Sequence, residues 1–427
     1  MRTSLRRILT PVAAAGLSFS LLFTAACGGG GETPTGDQKI TLTIAGFGDF
    51  GFKPLYEEYK KLHPNIEVQE RISDYAAHHN NLISHLATGS GAADIEAVEI
   101  GYLSSFTATP NRFHNLLDLG AKDLESQFLP WKWQQALSTD KKSLIGLGTD
   151  VGGMAMCYRT DLFQKAGLPT GRDDVSKLWP TWEEYVATGK KYKAAQPGSF
   201  FMEASGNMFR AIVEQAPTGV YDDSDKLIVD TNPTVKKAWD LTVDAIQAGL
   251  SNKLTAWTPE WTAAFGQGTF ATIVCPAWMT SYIETNAKDA AGKWDVAAVP
   301  GGAGSMGGSH LALPKQGKHP KEAFELIKWL TAPEQQKKVF KVTGNFPSTP
   351  SLYTDPDLTG FSKPFFNNAP IGKIFSDSAK AVQPQHQGPK QGDVFNTIGA
   401  GLGRIEQGKQ NPADAWTQVV ADCKKLG

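Results

Sequence analysis

The chain has 427 residues, with 42 Lys and Arg against 43 Asp and Glu, and a formal net charge of −1. That length allows more than one hydrophobic core, and the charge balance excludes a long-range field that would draw in nucleic acid or an anionic membrane surface. Hydrophobic residues make up 41% and charged residues 20%, the proportions of a soluble globular protein, while 11 Trp and 22 Phe supply aromatic surface for a large core, a binding cleft or both.

The first element is a targeting segment. Arg2, Arg6 and Arg7 form a basic start, "ILTPVAAAGLSFSLLF" is an apolar run, and small residues then lead to Cys27. The run is short for a membrane span and no second one follows, so the mature protein is expected to be soluble. "TAAC" resembles a bacterial lipobox, in which the cysteine becomes the lipidated first residue; Thr24 stands where such boxes prefer Leu, Val or Ile, so ordinary signal-peptidase cleavage is the alternative. Residues 28–38, "GGGGETPTGDQ", have nothing to bury and read as a flexible tether. Several acyl chains on one cysteine would anchor the protein stably.

From residue 39 the pattern is strand and helix in alternation. "KITLTIAGFGD" alternates apolar and polar residues as a strand does, and Pro54 opens a helix with Leu55 and Tyr59 on one face. "NIEVQE" is a second strand, "YAAHHNNLISHLATGSG" a helix stopped by glycine, and "DIEAVEI" a third strand. Further on, "MAMCYRT" reads as a strand, and Thr181 with Glu184 as a capping box. "KLIVDTNP" reads as a strand and turn, and residues 233–250 as a helix. "WDVAAVP" and "SHLALP" read as strands, and Thr331 with Glu334 as a second capping box. This alternation predicts α/β layers around a mostly parallel sheet.

Outside the cytosol, Cys157, Cys275 and Cys423 can pair and one is left over. Cys423 recurs with Trp416, Val419 and Val420 at helical core spacing, which leaves Cys157 with Cys275 as the expected bridge. Neither has a second Cys or His at ligand spacing, so no metal site is expected. His78, His79 and His85 share one predicted helix at the wrong spacing for one ion, and read as solvated or core-edge residues. Gly302–Gly307 contains a G-x-G-x-x-G, but a strand follows it where a dinucleotide site needs a helix N-terminus, so no cofactor is expected. Glu96 and Glu99 point to opposite faces of a strand, and no nucleophile signature occurs, so the case for an enzyme is weak.

The segments "ITLTIAGFGDFGFKPLYEEYKKLHPNIEV", "LATGSGAADIEAVEIGYLSSF", "MAMCYRTDLFQKAGLPT", "WPTWEEYVATGKK", "FGQGTFATIVCPAWM", "KWDVAAVPGG" and "GGSHLALPKQGKHPKEAFELIKWLTAPEQQ" occur in the order and spacing of one family. From residue 39 onward the chain resembles the extracellular solute-binding proteins of carbohydrate ABC transporters, the group that includes maltose-binding protein. The resemblance implies two α/β lobes joined by crossing strands near Asp150–Val151, Val299–Pro300 and Thr343–Phe346. Lobe one would be 39–150 plus 301–343, and lobe two 151–299 plus 344–427. It implies a monomer tethered outside the cytoplasmic membrane through Cys27, with an oligosaccharide ligand and the transmembrane subunits of an ABC permease as partners.

A sugar offers C–H faces to aromatic rings and hydroxyls to carboxylates and amides, and such groups gather at strand ends and crossings. Phe47, Asp49, Glu99 and Tyr102 follow strands of lobe one, and Asp150 stands at the first crossing. Asn207, Trp257 and Trp261 lie in lobe two, Ser309 and His310 after the glycine-rich crossing, and Phe346 at the third. Trp278 lies where the family commonly stacks an aromatic ring, on a loop exposed by Pro276. Aromatic richness favours a β-linked cello- or xylo-type ligand. A maltose-type sugar, a polyamine or iron chelate, and a secreted carbohydrate-active enzyme are the alternatives.

Overall fold

A computed structural model describes residues 39–426; the expected signal segment 1–27, the lipidation site Cys27 and the tether 28–38 lie outside the described residues. Two open sheets organise the chain. The first has the order β2-β1-β3-β10-β4, from β1 (Ile40–Phe47), β2 (Ile66–Ser73), β3 (Ile95–Glu99), β4 (Gly146–Gly148) and β10 (Ser309–Ala312). The second has the order β7-β8-β6-β9, from β6 (Met154–Arg159), β7 (Phe200–Met202), β8 (Phe270–Pro276) and β9 (Trp294–Ala297). Between them in sequence, β5 (Asp150–Val151) pairs with β11 (Phe346–Pro347) in a two-stranded ribbon. Among the described residues, no helix is long and apolar enough to cross a membrane.

The expectation of mostly parallel sheets needs correction. β1 runs parallel to β2 and β3, but β10 is antiparallel to both β3 and β4. In the second sheet β6 is antiparallel to β8 and β9, and only β7–β8 is parallel. The cause lies in the connections: β10 enters the first sheet only after the chain has built the second, and so arrives from the opposite end.

Period-two patterning explains how β6 and β8 build two cores at once. Met154, Met156 and Tyr158 face one apolar cluster with Trp179, Tyr185 and Phe201. Ala155, Cys157, Ile273 and Cys275 face another with Trp294, Phe340 and Phe375. Cys157 opposes Ile273, and Ala155 opposes Cys275, so the two cysteines are diagonal neighbours on one face. They form the expected disulfide, with Cα atoms 5.4 Å apart. Cys423 is the buried free cysteine, packed with Trp239, Ile398 and Val419; burial pushes its thiol up to about 11.

Helix ends follow side-chain chemistry. Helix α1 (Lys53–Leu62) has its proline in the first turn. Helix α2 (Tyr75–Thr88) is capped by Asp74, whose carboxylate accepts from Ala77 N–H, and stops at Gly89 with φ +77°. The Thr181–Glu184 capping box forms at helix Trp182–Ala195. The one expected at Thr331–Glu334 does not: Thr331 ends the preceding helix and its hydroxyl donates back to Ile327 O, so Ala332 takes the N-cap position. "KLIVDTNP" is a turn with one bridge, Tyr221–Leu227, because Asp222 closes the chain on itself through Ser224 and Lys226.

Candidate ligand-binding site

The site begins where β3 gives way to helix α3 (Ile100–Thr107). Glu99 is the last strand residue and the N-cap of α3. Its Oε2 accepts from Gly101 N–H (2.7 Å) and Tyr75 Oη (2.8 Å). Its other oxygen, Oε1, lies 3.8 Å from the point where a Cβ on Gly307 would stand. One oxygen of the carboxylate is thus fixed and the other faces the glycine.

An aromatic wall rises behind it. Phe47 meets Tyr75 edge-on (5.3 Å between centroids) and leans on His79 (4.8 Å), while His79 stacks on Tyr102 (4.1 Å, 8°). His79 is an interior residue, not a solvated one. Its Nδ1 is bonded to Tyr75 O (2.8 Å) and its Nε2 accepts from Glu99 N–H (3.1 Å), which fixes a neutral tautomer. Burial holds its pKa down at about 3. The histidines therefore buttress the wall. Among the described residues no group of three His, Cys, Asp or Glu could hold a metal ion.

Beside Glu99 lies a polar floor. Asp150 Oδ1 accepts from Thr149 Oγ1 (2.7 Å) and Ser309 N–H (2.9 Å), which ties the start of the ribbon to β10. Lys132, in helix α4 (Pro130–Gln135), is 1% exposed and its Nζ has no hydrogen-bond partner. Burial lowers its pKa to about 8, against the opposing pull of Asp150 and Glu99. Gly308, at φ +105°, leaves room for it: a Cβ there would stand 3.1 Å from Nζ and 2.8 Å from Asp150 O. The backbone crosses equally close at Gly152, where a Cβ would fall 1.9 Å from Met306 O.

The opposite side comes from the second sheet and the C-terminal helices. Trp278 is the second residue of helix Ala277–Asn286, not a loop residue, because Pro276 serves as its N-cap. Its Nε1 lies 3.5 Å from the same Gly307 Cβ position that Glu99 approaches. Trp257 stacks beside it (5.9 Å, 24°). Arg210, in helix Ser205–Glu214, bonds Glu214 (3.4 Å), and its guanidinium lies over the Phe395 ring (5.4 Å). Glu214 is pushed up to about 7, by burial first, with Arg210 opposing and Glu99 reinforcing. Gln391 opens helix Gln391–Glu406; it is 2% exposed and both its amide atoms lack partners. The adjoining Gly392 packs against Gly101, and Ser104 Oγ donates to Gly388 O (2.6 Å).

Of the residues singled out in the sequence, the structure gathers Phe47, Glu99, Tyr102, Asp150, Ser309, Trp257 and Trp278 around this cleft. Three others are packed in the interior. Trp261 is 1% exposed and packs on Phe265. Phe346 is fully buried against Phe340 and Tyr353, because the ribbon carries it into a core. His310 is fully buried with Nε2 on Lys132 O (3.1 Å), so it supports α4. Asp49 is exposed and holds its own turn through Gly51 N–H (2.7 Å). Asn207 is bonded to Glu203 (2.6 Å), one turn before Arg210. Sequence reading missed Tyr75, Lys132, Arg210, Glu214 and Gln391. A lysine between two tryptophans in "PWKWQQ" is the one local signal among them.

Comparison with known proteins identifies the family. Residues 55–364 match the family model described as bacterial extracellular solute-binding protein. A crystal structure of an extracellular solute-binding protein of family 1 is 44% identical, with a TM-score of 0.82, covering 90% of this chain and 99% of that one. The arabinooligosaccharide-binding protein of Bacillus subtilis (strain 168) is 25% identical over 373 residues, which is 82% of this chain and 83% of the relative. The ABC-transporter-associated binding protein of B. animalis subsp. lactis Bl-04, solved with β-1,6-galactobiose, is 22% identical with a TM-score of 0.77, covering 91% and 99% of the two chains.

Proposed function

On the premise that the chain belongs to the bacterial extracellular solute-binding proteins, we propose that it is an oligosaccharide receptor of an ABC importer. The observation that carries this reading is the polar floor. Lys132 Nζ is buried without a partner, under the pull of Asp150 and Glu99, and buried polar groups demand hydrogen bonds. A buried ammonium group near two carboxylates, with the rings of Trp278, Phe47 and Tyr102 close by, suits a neutral ligand rich in hydroxyls with apolar C–H faces. The floor carries acids and bases together, which disfavours a polycation such as a polyamine.

The receptor takes lobe one as 39–150 plus 301–343 and lobe two as 151–299 plus 344–427. Closure desolvates the sugar's hydrogen bonds and makes the shape the permease subunits read. Lipidation at Cys27 would hold a monomer at the outer face of the cytoplasmic membrane. The preferred ligand is a β-linked cello- or xylo-type oligosaccharide, supported by the aromatic wall; a relative named for arabinooligosaccharides and one solved with a galactobiose favour the broader class. Maltose-type sugars are the runner-up.

Tryptophan fluorescence titration with a sugar panel, coupled to product analysis, tests the reading. Saturable binding with the sugar recovered intact is expected, and Trp278→Ala weakens it at least tenfold while the fold survives. Turnover of the sugar would reassign the protein to the carbohydrate-active enzymes, and unchanged affinity in a folded Trp278→Ala variant would remove that ring from the site.

A further inference from the structure

Helix α3 and helix Gln391–Glu406 belong to different cores. Leu103 and Phe106 of α3 pack with Val98, Phe113 and Ile145 against the first sheet. Ile398 and Leu402 pack instead with Trp239 and Val419. The two helices meet only backbone to backbone, through glycines in their first turns. A Cβ on Gly392 would stand 3.1 Å from Gly101 O, and one on Gly101 would stand 3.7 Å from Gly392 Cα. One turn on, Ser104 Oγ donates to Gly388 O (2.6 Å).

The segment that presents Gly388 is fastened to one side. Gln385 Nε2 donates to Val213 O (2.9 Å) and Ala216 O (2.7 Å), at the end of helix Ser205–Glu214. His386 Nε2 is bonded to Asp225 (2.7 Å), and Gly388 lies so close on Tyr221 that a Cβ would fall 2.3 Å from its ring. Val213 and Tyr221 share the core of helix Gln391–Glu406. A fused core would bury apolar side chains from both helices, yet no residue of α3 belongs to the one core and none of Gln391–Glu406 to the other. A glycine pair and one hydrogen bond bias a two-state equilibrium several-fold without locking it.

We propose that residues 385–392 form a latch between the lobes, made of protein atoms alone, which sets how much of the receptor is closed before any sugar binds. The inference rests on the two-lobe receptor reading, and it adds a contribution to closure that no ligand supplies.

Small-angle X-ray scattering of the mature chain without sugar tests it. Wild type is expected near its sugar-saturated radius of gyration. Gly392→Val, which forces the glycine contact apart, raises the sugar-free value by roughly 1 Å, and Ser104→Ala raises it by less. Gly399→Val is the control on the same helix, because a Cβ there meets nothing within 4 Å; it leaves the value unmoved. Sugar returns Gly392→Val to the wild-type value with an affinity roughly threefold weaker or worse, as a smaller closed fraction requires. Equal sugar-free values in wild type, Gly392→Val and Ser104→Ala overturn the latch and leave the receptor reading standing if sugar still binds. A shift that Gly399→Val reproduces assigns the effect to helix stability and also overturns it. The Gly392→Val shift without binding of any sugar upholds the latch and overturns the receptor reading instead.

Discussion

Glu203 shows how one buried side chain can set a pH response away from the cleft. It is 1% exposed, accepts from Asn207 Nδ2, and is pushed up to about 7 by burial, with buried Glu406 adding to the rise. An acid whose pKa is higher folded than unfolded binds its proton more tightly in the native state. Its stabilising effect is complete below the unfolded value, about 4.3, and is lost as pH rises through about 7. Glu203→Gln keeps the acceptor for Asn207 and removes the titration. Urea unfolding at pH 5 and pH 8 is expected to show the variant gaining on wild type by up to about 3 kcal/mol at the higher pH; parallel profiles would mean that Glu203 keeps an ordinary pKa. At this scale the sequence was legible for Glu99 and Trp278, which stand beside strong element boundaries. It was silent for Arg210 and Gln391, since a polar residue on a helix shows nothing of which neighbour it will face.

At the scale of elements, the helical core spacing of Cys423 set that cysteine aside and left Cys157 with Cys275, the pair that β6 and β8 bring together. The bridge closes 118 residues of sequence, so by loop-closure entropy its removal should cost roughly 5 kcal/mol. A Cys157→Ala/Cys275→Ala variant is expected to unfold at lower urea by that margin. Peptide mapping of the unreduced protein should find the two cysteines linked and Cys423 free; two free thiols would contradict the assignment. What failed at this scale failed for local reasons. The Thr331 hydroxyl had a carbonyl of its own helix within reach, and "KLIVDTNP" had a turn-forming Asp222 just ahead of it. Strand direction was readable for β1, β2 and β3, which pair in parallel as their alternation with helices predicts, but not for β10, which enters from the second sheet.

At the scale of the molecule, the order of landmarks revealed two lobes, while the site depends on what the crossings bring together. Asp150, Gly307, Gly308 and Ser309 lie at the junction, and around them meet Glu99 and Lys132 on one side and Trp278, Arg210 and Gln391 on the other. Glu99, Lys132 and Asp150 are far apart in sequence, so the way Lys132 meets both carboxylates is invisible until the chain is folded. The unpartnered polar atoms of Lys132 and Gln391 are proposed, with Glu99, to serve a sugar. A crystal structure of the mature protein with its co-purified or best-binding oligosaccharide tests this most directly. A sugar ring is expected to stack on Trp278, with hydroxyls within hydrogen-bond distance of Lys132 Nζ, Gln391 and Glu99. A sugar bound elsewhere, or one that leaves all three without a bond, would contradict it.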